Sequence, residues 1–305
     1  MNLNKVNQNL IKKLIISGPA LISNFDKLIF IHLPRTGGKS IKTAFFSKYS
    51  SSFLYNLEYR VIFKILKKSY SDAHSSLEEI KDKIHINKIK KYDKFSIVRD
   101  PFSRLISIYK HIIYVHTSEL SYSQSQNAIS DLVTPKNFID NIKKKSLNHF
   151  LPCSHHKLFA HHNNEFFFPD HIFNWKNISS CHQYLQHKYN FPNFIRTSST
   201  QINEIFPTFR EPSSKKGINP FIDKFIHDNI SKFDELKSEI NNLWSEEISI
   251  LNTSKLNLKG EINLDKNRFR DFLNQKSDHE LKNLSYQKDS SFFDKNIISK
   301  NYYSS

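Results

Sequence analysis

The chain has 305 residues, a length that suits one large α/β domain or one domain plus an appendage. Hydrophobic residues make up 38%, with 26 Phe and 13 Tyr to fill a core, while 5 Gly and 10 Pro argue against a long flexible linker. A formal net charge of +16 points to anionic partners (phosphorylated cofactors, acidic polysaccharides, nucleic acid or a membrane face), although an Asn-, Lys- and Ile-rich coding bias accounts for the same number.

Residues 14–22 are apolar and follow Lys12 and Lys13, in the manner of a short leader. Gly18 and Pro19 interrupt the run and no small-x-small cleavage site follows, so it reads as an N-terminal helix or arm. No apolar run reaches the roughly 18 residues a membrane span needs, and a soluble, cytoplasmic chain without a transmembrane segment is expected. Two cysteines, Cys153 and Cys181, lack CxxC spacing and do not make a disulfide framework.

Residues 27–33 form a branched, apolar run of strand length, and the pattern predicts a buried parallel strand. It leads into Pro34-Arg35-Thr36-Gly37-Gly38-Lys39-Ser40 and then a helical pattern to residue 46. Strand, glycine turn and helix is the order that turns backbone N–H groups toward an anion. Gly37 and Gly38 have no Cβ to hold phosphate oxygens away from the main chain. Thr36 and Ser40 add hydroxyls, Arg35 a planar fork of donors and Lys39 a point charge. Gly38-Lys39-Ser40 matches the end of the nucleotide P-loop G-x-x-x-x-G-K-S/T, but the leading glycine of that motif falls on Leu33.

Farther on, His74 precedes a helical pattern at 76–84, and its ordinary pKa near 6.5 suits a general base. Glu78 and Glu79 are alternative bases that read more simply as the solvated face of that helix. A second buried-type strand at 95–98 ends in Arg99-Asp100-Pro101. The helix that Pro101 opens carries Phe102, Leu105, Ile106, Tyr109, Ile112 and Ile113 on one stripe. Arg99 is placed to grip a phosphate bidentately and Ser107, two turns into the helix, to donate one more hydrogen bond. Arg104 reads as a solvated or salt-bridged residue.

Further helices are predicted around 135–145, 177–188 and 221–251, and the chain turns polar beyond about 252, with 286–305 resembling a loose tail. His149, Cys153, His155, His156, His161, His162, His171, Cys181 and His182 raise zinc ligation. They lack C-x2-C…H-x3-H spacing, and adjacent His pairs read as ordinary exposed loop residues, so no metal is expected. Lys215 and Lys216 beside Gly217 read as a solvated pair, or as a cap on a bound nucleotide.

Together, IFIHLPRTGGKSI (residues 29–41) and FSIVRDPFSRLISIY (residues 95–109) resemble the 5′-phosphosulfate loop and the 3′-phosphate motif of sulfotransferases, especially the carbohydrate, glycosaminoglycan-modifying family 2 type. The likeness covers 27–115 closely. It continues weakly through 148–152 and 170–189, and faintly to 233–251. It implies a P-loop-like, three-layer α/β fold with a central, mostly parallel sheet flanked by helices. It also implies 3′-phosphoadenosine 5′-phosphosulfate (PAPS) as donor, no metal, and a hydroxylated acceptor, a carbohydrate or glycan. In those relatives a small residue, His, any residue and Ser or Thr lie between the two motifs, and the resemblance makes His74 the base. Arg35 and Lys39 then stabilise the transferring group, Thr36, Gly37, Gly38 and Ser40 cradle the 5′-phosphosulfate, and Arg99 and Ser107 hold the 3′-phosphate. His149 would face the acceptor.

On this reading the chain divides into an N-terminal arm or helix (1–26), a sulfotransferase domain (27–252) and a polar, partly disordered extension (253–305). Two departures stand out: relatives carry Lys where this chain has Arg35, and Thr where it has Lys39. They imply either a shifted version of the site, with Lys39 taking over, or a weakened one. A Mg-dependent P-loop kinase or nucleotide-binding protein, supported by Gly38-Lys39-Ser40, remains an alternative. So does a non-catalytic polyanion-binding protein, supported by the charge; specific nucleic-acid binding is not expected, because the informative arginines, those of the two motifs, concentrate at two turns instead of along one face.

Overall fold

The computed structural model describes residues 16–17, 21–23, 26–38, 40–41, 44–45, 48, 76–117, 134–143, 154–192, 220–251, 257 and 259–285. Among them, the strands are β1 (Ile16–Ser17), β2 (Leu21–Ser23), β3 (Leu28–Ile31), β4 (Asp93–Val98), β5 (Ala160–His162), β6 (Glu165–Phe167) and β7 (His171–Asn174). One sheet runs in the order β1-β2-β3-β4-β7, and β5 and β6 form a separate antiparallel pair. β3, β4 and β7 are parallel, with Phe30 opposite Phe95 and Phe95 opposite His171, whereas β1 and β2 fold back antiparallel on β3.

β3 is apolar throughout, and β4 and β7 are apolar at Phe95, Ile97, Val98, Ile172 and Phe173, because both faces of the sheet are covered. Side chains alternate along β3. Ile29 and Ile31 face a core shared with Ile22, Val98 and Ile172, and Leu28 and Phe30 face another shared with Phe95, Ile97 and Phe173. Each such side chain, fully buried, contributes about 1.5–3 kcal/mol. The first face is covered by helices Leu77–Lys83, Ile86–Lys91, Ser245–Leu251, Lys266–Asn274 and Asp278–Ser285, through Leu77, Ile80, Ile89, Ile250, Phe269 and Leu281. The second is covered by Ile41, Ala44 and Phe45 and by helix Ile178–Tyr189. The result is a three-layer α/β fold with a mixed central sheet, parallel where β3, β4 and β7 meet.

A third core lies beside the sheet. Helix Pro101–Thr117 places Tyr109 against Phe138 of helix Pro135–Lys143 and against Phe233, with ring centroids 5.3 and 4.9 Å apart. Asp100 caps the start of Pro101–Thr117, accepting from the Ser103 N–H at 2.9 Å. Ile108 joins Leu105, Tyr109 and Ile113 in the buried set, so the apolar stripe is wider than its sequence pattern suggests. The 221–251 helical pattern is four segments, Pro220–Ile230, Lys232–Glu235, Lys237–Leu243 and Ser245–Leu251.

Three sequence expectations change. Leu21–Ser23, within the expected arm or helix, is a strand: its Ile22 pairs opposite Ile29 and is buried on the first face. Beyond 252, a polar average conceals an amphipathic stripe, since Phe269 and Leu273, one helical turn apart, are fully buried. His155 and His156 are buried at 0% and 6% exposure instead of lying on a surface loop. Burial pushes His156 down to about 4 and His155 well below the ordinary imidazole value. Burial also raises the Cys181 thiol well above its usual value. Among the described residues, no helix is long and apolar enough to cross a membrane.

Candidate functional site

Because β3, β4 and β7 are parallel, their carboxyl ends open on the same edge of the sheet, the edge where open α/β sheets bind ligands. β3 continues through His32 and Leu33 into a turn at 34–37, and helical backbone begins at Gly38. Thr36 is buried, and its hydroxyl donates to the Leu33 carbonyl at 2.9 Å, which ties the turn to the strand it leaves. The Ser40 N–H donates to the Gly37 carbonyl at 3.1 Å.

The two glycines are needed for different reasons. Gly37 has φ +92°, and a Cβ on it would lie 2.9 Å from Ile178 and 3.0 Å from Trp175. At Gly38 the obstacle is spatial: a Cβ would lie 1.8 Å from Nε2 of His32. Arg35 itself has φ +61°, a left-handed conformation that strains a residue with a side chain by about 1–2 kcal/mol. Such strain persists where the surroundings hold it, often at functional sites.

Arg35 and Arg99 converge from the two turns. Arg35 Nε donates to Ser107 Oγ at 3.2 Å, and Arg99 Nη1 donates to the Arg35 carbonyl at 3.4 Å. The Arg99 guanidinium lies 4.0 Å from the centroid of the Trp175 ring, where the negative face of the indole attracts it. Trp175 opens the short turn Trp175–Asn177 directly after β7, and Asn174 caps that turn by accepting from the Lys176 N–H at 2.9 Å. Ser40 Oγ and His182 Nε2 share a hydrogen bond of 2.9 Å, which joins the loop to helix Ile178–Tyr189.

Thus Arg35, Thr36, Gly37, Gly38, Ser40, Arg99 and Ser107 lie around one sheet edge. Lys39, His74, His149, Cys153, Lys215, Lys216 and the 286–305 tail lie outside the described residues. The sequence motifs did not flag His32 or Trp175, and they raised His182 only as a zinc candidate. Trp175 carried a usable signal, because it directly follows a strand and precedes a helix, as Arg99 does. Nothing in the sequence pointed to the contact of His182 with Ser40, which spans 142 residues of chain.

Other candidates prove structural. Glu79 forms a capping box with Ser76, and Glu78 accepts from the His161 N–H at 2.7 Å and pairs with Lys81. With its side chain only 12% exposed, Glu78 is not part of a solvated face. Arg104 is buried and pairs with the buried Glu247 at 3.3 Å. His161 stacks on Phe166, and His171 lies between Asp93 and Glu261.

Two guanidinium groups, hydroxyls and the start of a helix on one edge make a cradle for an anion with more than one charged group. The family model described as the Sulfotransferase family matches residues 19–252, more than half of the chain. No curated protein and no solved structure matches it.

Proposed function

This chain belongs to the sulfotransferase family, and on that premise we propose that it carries a sulfuryl group from PAPS to a hydroxyl of a carbohydrate acceptor. The observation that supports this most is the Arg99–Arg35–Ser107 connection. It couples the turn suited to a 5′-phosphosulfate with the strand end suited to a 3′-phosphate, so that one bisphosphorylated nucleotide engages both.

In the proposed reaction His74 takes the acceptor's hydroxyl proton as the acceptor oxygen forms a bond to sulfur. The sulfur bond to the bridging phosphate oxygen breaks, and adenosine 3′,5′-bisphosphate departs. Charge gathers on that bridging oxygen, so positioned cations do most of the work. Arg35 and Lys39 are assigned to it, with the Thr36–Ser40 turn holding the 5′ group and Arg99 and Ser107 the 3′-phosphate. Trp175 fixes the plane of the Arg99 guanidinium from one side, which favours a two-pronged grip on phosphate.

Calorimetric titration with adenosine 3′,5′-bisphosphate in the absence of Mg²⁺ tests the reading. Binding that falls by roughly tenfold or more in Arg99→Ala is expected, the scale of a hydrogen-bonded charge contact. Tight Mg-ATP binding with no preference for a 3′-phosphate would overturn it. His74→Ala should keep that affinity and lose roughly a hundredfold in turnover. Unchanged turnover removes His74 from the reaction. Screening glycans as acceptors with labelled donor tests the carbohydrate assignment, which fails if only non-carbohydrate hydroxyls are sulfated.

A further inference from the structure

The four ring nitrogens of His155 and His156 are buried and have no hydrogen-bond partner among the described residues. A neutral imidazole has one donor and one acceptor nitrogen, and burying either unpaired is unfavourable. Two adjacent histidines in this condition are unusual enough to need a reason.

Their surroundings are built to hold the rings in place. Both lie in the short turn Ser154–Lys157, with centroids 4.2 Å apart and planes at 63°. Phe269 and Phe272 pack against His155 at 5.8 and 6.0 Å, and His156 lies parallel to Phe272 at 6.2 Å. Helix Ser245–Leu251 brings Glu246 to the same place. One ligand atom from each of His155, His156 and Glu246 lies within 4.8 Å of the others. Glu246 also lines an open cavity of about 390 Å³ with Arg268, Asp271 and Phe272, which gives solvent access to the carboxylate side of the cluster.

We propose that His155, His156 and Glu246 bind one divalent transition-metal ion of the zinc class, which ties the Ser154–Lys157 turn to helix Ser245–Leu251. Two imidazole nitrogens and one carboxylate oxygen are a donor set that zinc takes, with a fourth position left for water. Here that position faces the cavity. Zinc–ligand bonds are about 2.0–2.2 Å, so the three atoms draw inward on binding. The two rings are wedged among aromatics, whereas Glu246 stands half-buried on the cavity wall and rotates to close the site. Nearby cations do not stand alone against the ion: Arg104 pairs with Glu247, Arg268 shares the cavity wall with Asp271, and Lys276 lies over the Phe272 ring at 5.0 Å.

The site is independent of the donor-binding reading and has its own test. The purified full chain is stripped with chelator and titrated with Co²⁺, then with Zn²⁺ in competition. One Co²⁺ per chain with visible d–d absorption, displaced by one Zn²⁺, is expected. Zn²⁺ should also raise Tm in a concentration-dependent way. Because His155→Ala and His156→Ala change a buried region and risk unfolding, Glu246→Gln, an isosteric change on the cavity wall, is the deciding variant. It should fold with the same metal-free Tm and bind Co²⁺ at least tenfold more weakly. No stoichiometric binding, or binding unchanged in Glu246→Gln, overturns the proposal.

Discussion

Arg35 Nε reaches Ser107 Oγ at 3.2 Å across 72 residues of sequence, and this bond connects the glycine turn to the helix that follows β4. Ser107→Ala is expected to weaken adenosine 3′,5′-bisphosphate binding by about tenfold, the scale of one hydrogen bond involving a charged group, while Ser107→Thr keeps most of it. Arg35→Gly separates stability from activity. It relieves a left-handed non-glycine residue, so Tm should stay level or rise, while turnover falls by roughly a hundredfold through loss of the cation. A fall in Tm of several degrees would show that the turn needs the arginine side chain to fold.

Gly38→Ala should be destabilising by about 1–3 kcal/mol in urea unfolding, the usual cost of overpacking, because the new methyl group collides with the His32 ring. His32 is buried and stacks on Phe30 at 5.5 Å, which restricts its escape. Replacing His32 with Ala in the Gly38→Ala background should recover part of the loss. Equal stability of the single and double variants would assign the defect to the backbone instead.

Arg104 and Glu247 are a buried ion pair, with side chains 3% and 0% exposed. Removing either partner deprives the other buried charge of this ion pair, so Arg104→Met or Glu247→Leu alone should lower stability by about 3–5 kcal/mol. The double replacement Arg104→Met, Glu247→Leu should be much closer to the parent chain. A double-mutant cycle by chemical unfolding measures the coupling, and additive single effects would refute it.

Asp93 gives the fold an acid sensitivity with a defined sign. Burial alone would raise its pKa, but hydrogen bonds from Lys188, Tyr184 and Tyr189, and the nearby His171, together hold it below the ordinary carboxylate value. Lys188 Nζ and Tyr189 Oη both lie 2.5 Å from Oδ2. In the unfolded chain the group titrates near 3.9. Between the folded and unfolded values the unfolded chain binds more protons, so stability rises with pH there. The contribution is complete above about pH 4 and is lost as pH falls through the folded value. Asp93→Asn should therefore be less stable than the parent at neutral pH, and the two should converge as the medium is acidified. A gap that is constant from pH 7 to pH 3 would count against it.

Much of this architecture was legible along the chain. The runs ending at Leu33 and Val98 are buried strands because they are mostly apolar on both faces, as a parallel strand covered on two sides requires, and the buried Ser96 hydroxyl is satisfied by the Ile31 carbonyl. Pro101 marked the start of the next helix through local backbone chemistry alone, and the structure adds Asp100 as its cap. Where composition was averaged over a segment, local pairs were lost to view: Phe269 and Leu273 make a buried stripe in a polar stretch, and Ile22 joins the antiparallel strand β2 in a segment broken by Gly18 and Pro19.

The amino-acid sequence by itself determined the family likeness and the chemistry of the two anion-binding turns, since backbone freedom at Gly37 and guanidinium geometry at Arg35 and Arg99 are properties of short segments. Only the tertiary structure decided what those segments meet. Trp175 under Arg99, His182 on Ser40 and His32 against Gly38 come from sheet order and helix packing, which no spacing rule encodes. The same holds for the cluster of His155, His156 and Glu246. Its third member joins through the packing of helix Ser245–Leu251 on the Ser154–Lys157 turn, and such a cluster is a property of space, not of order along the chain.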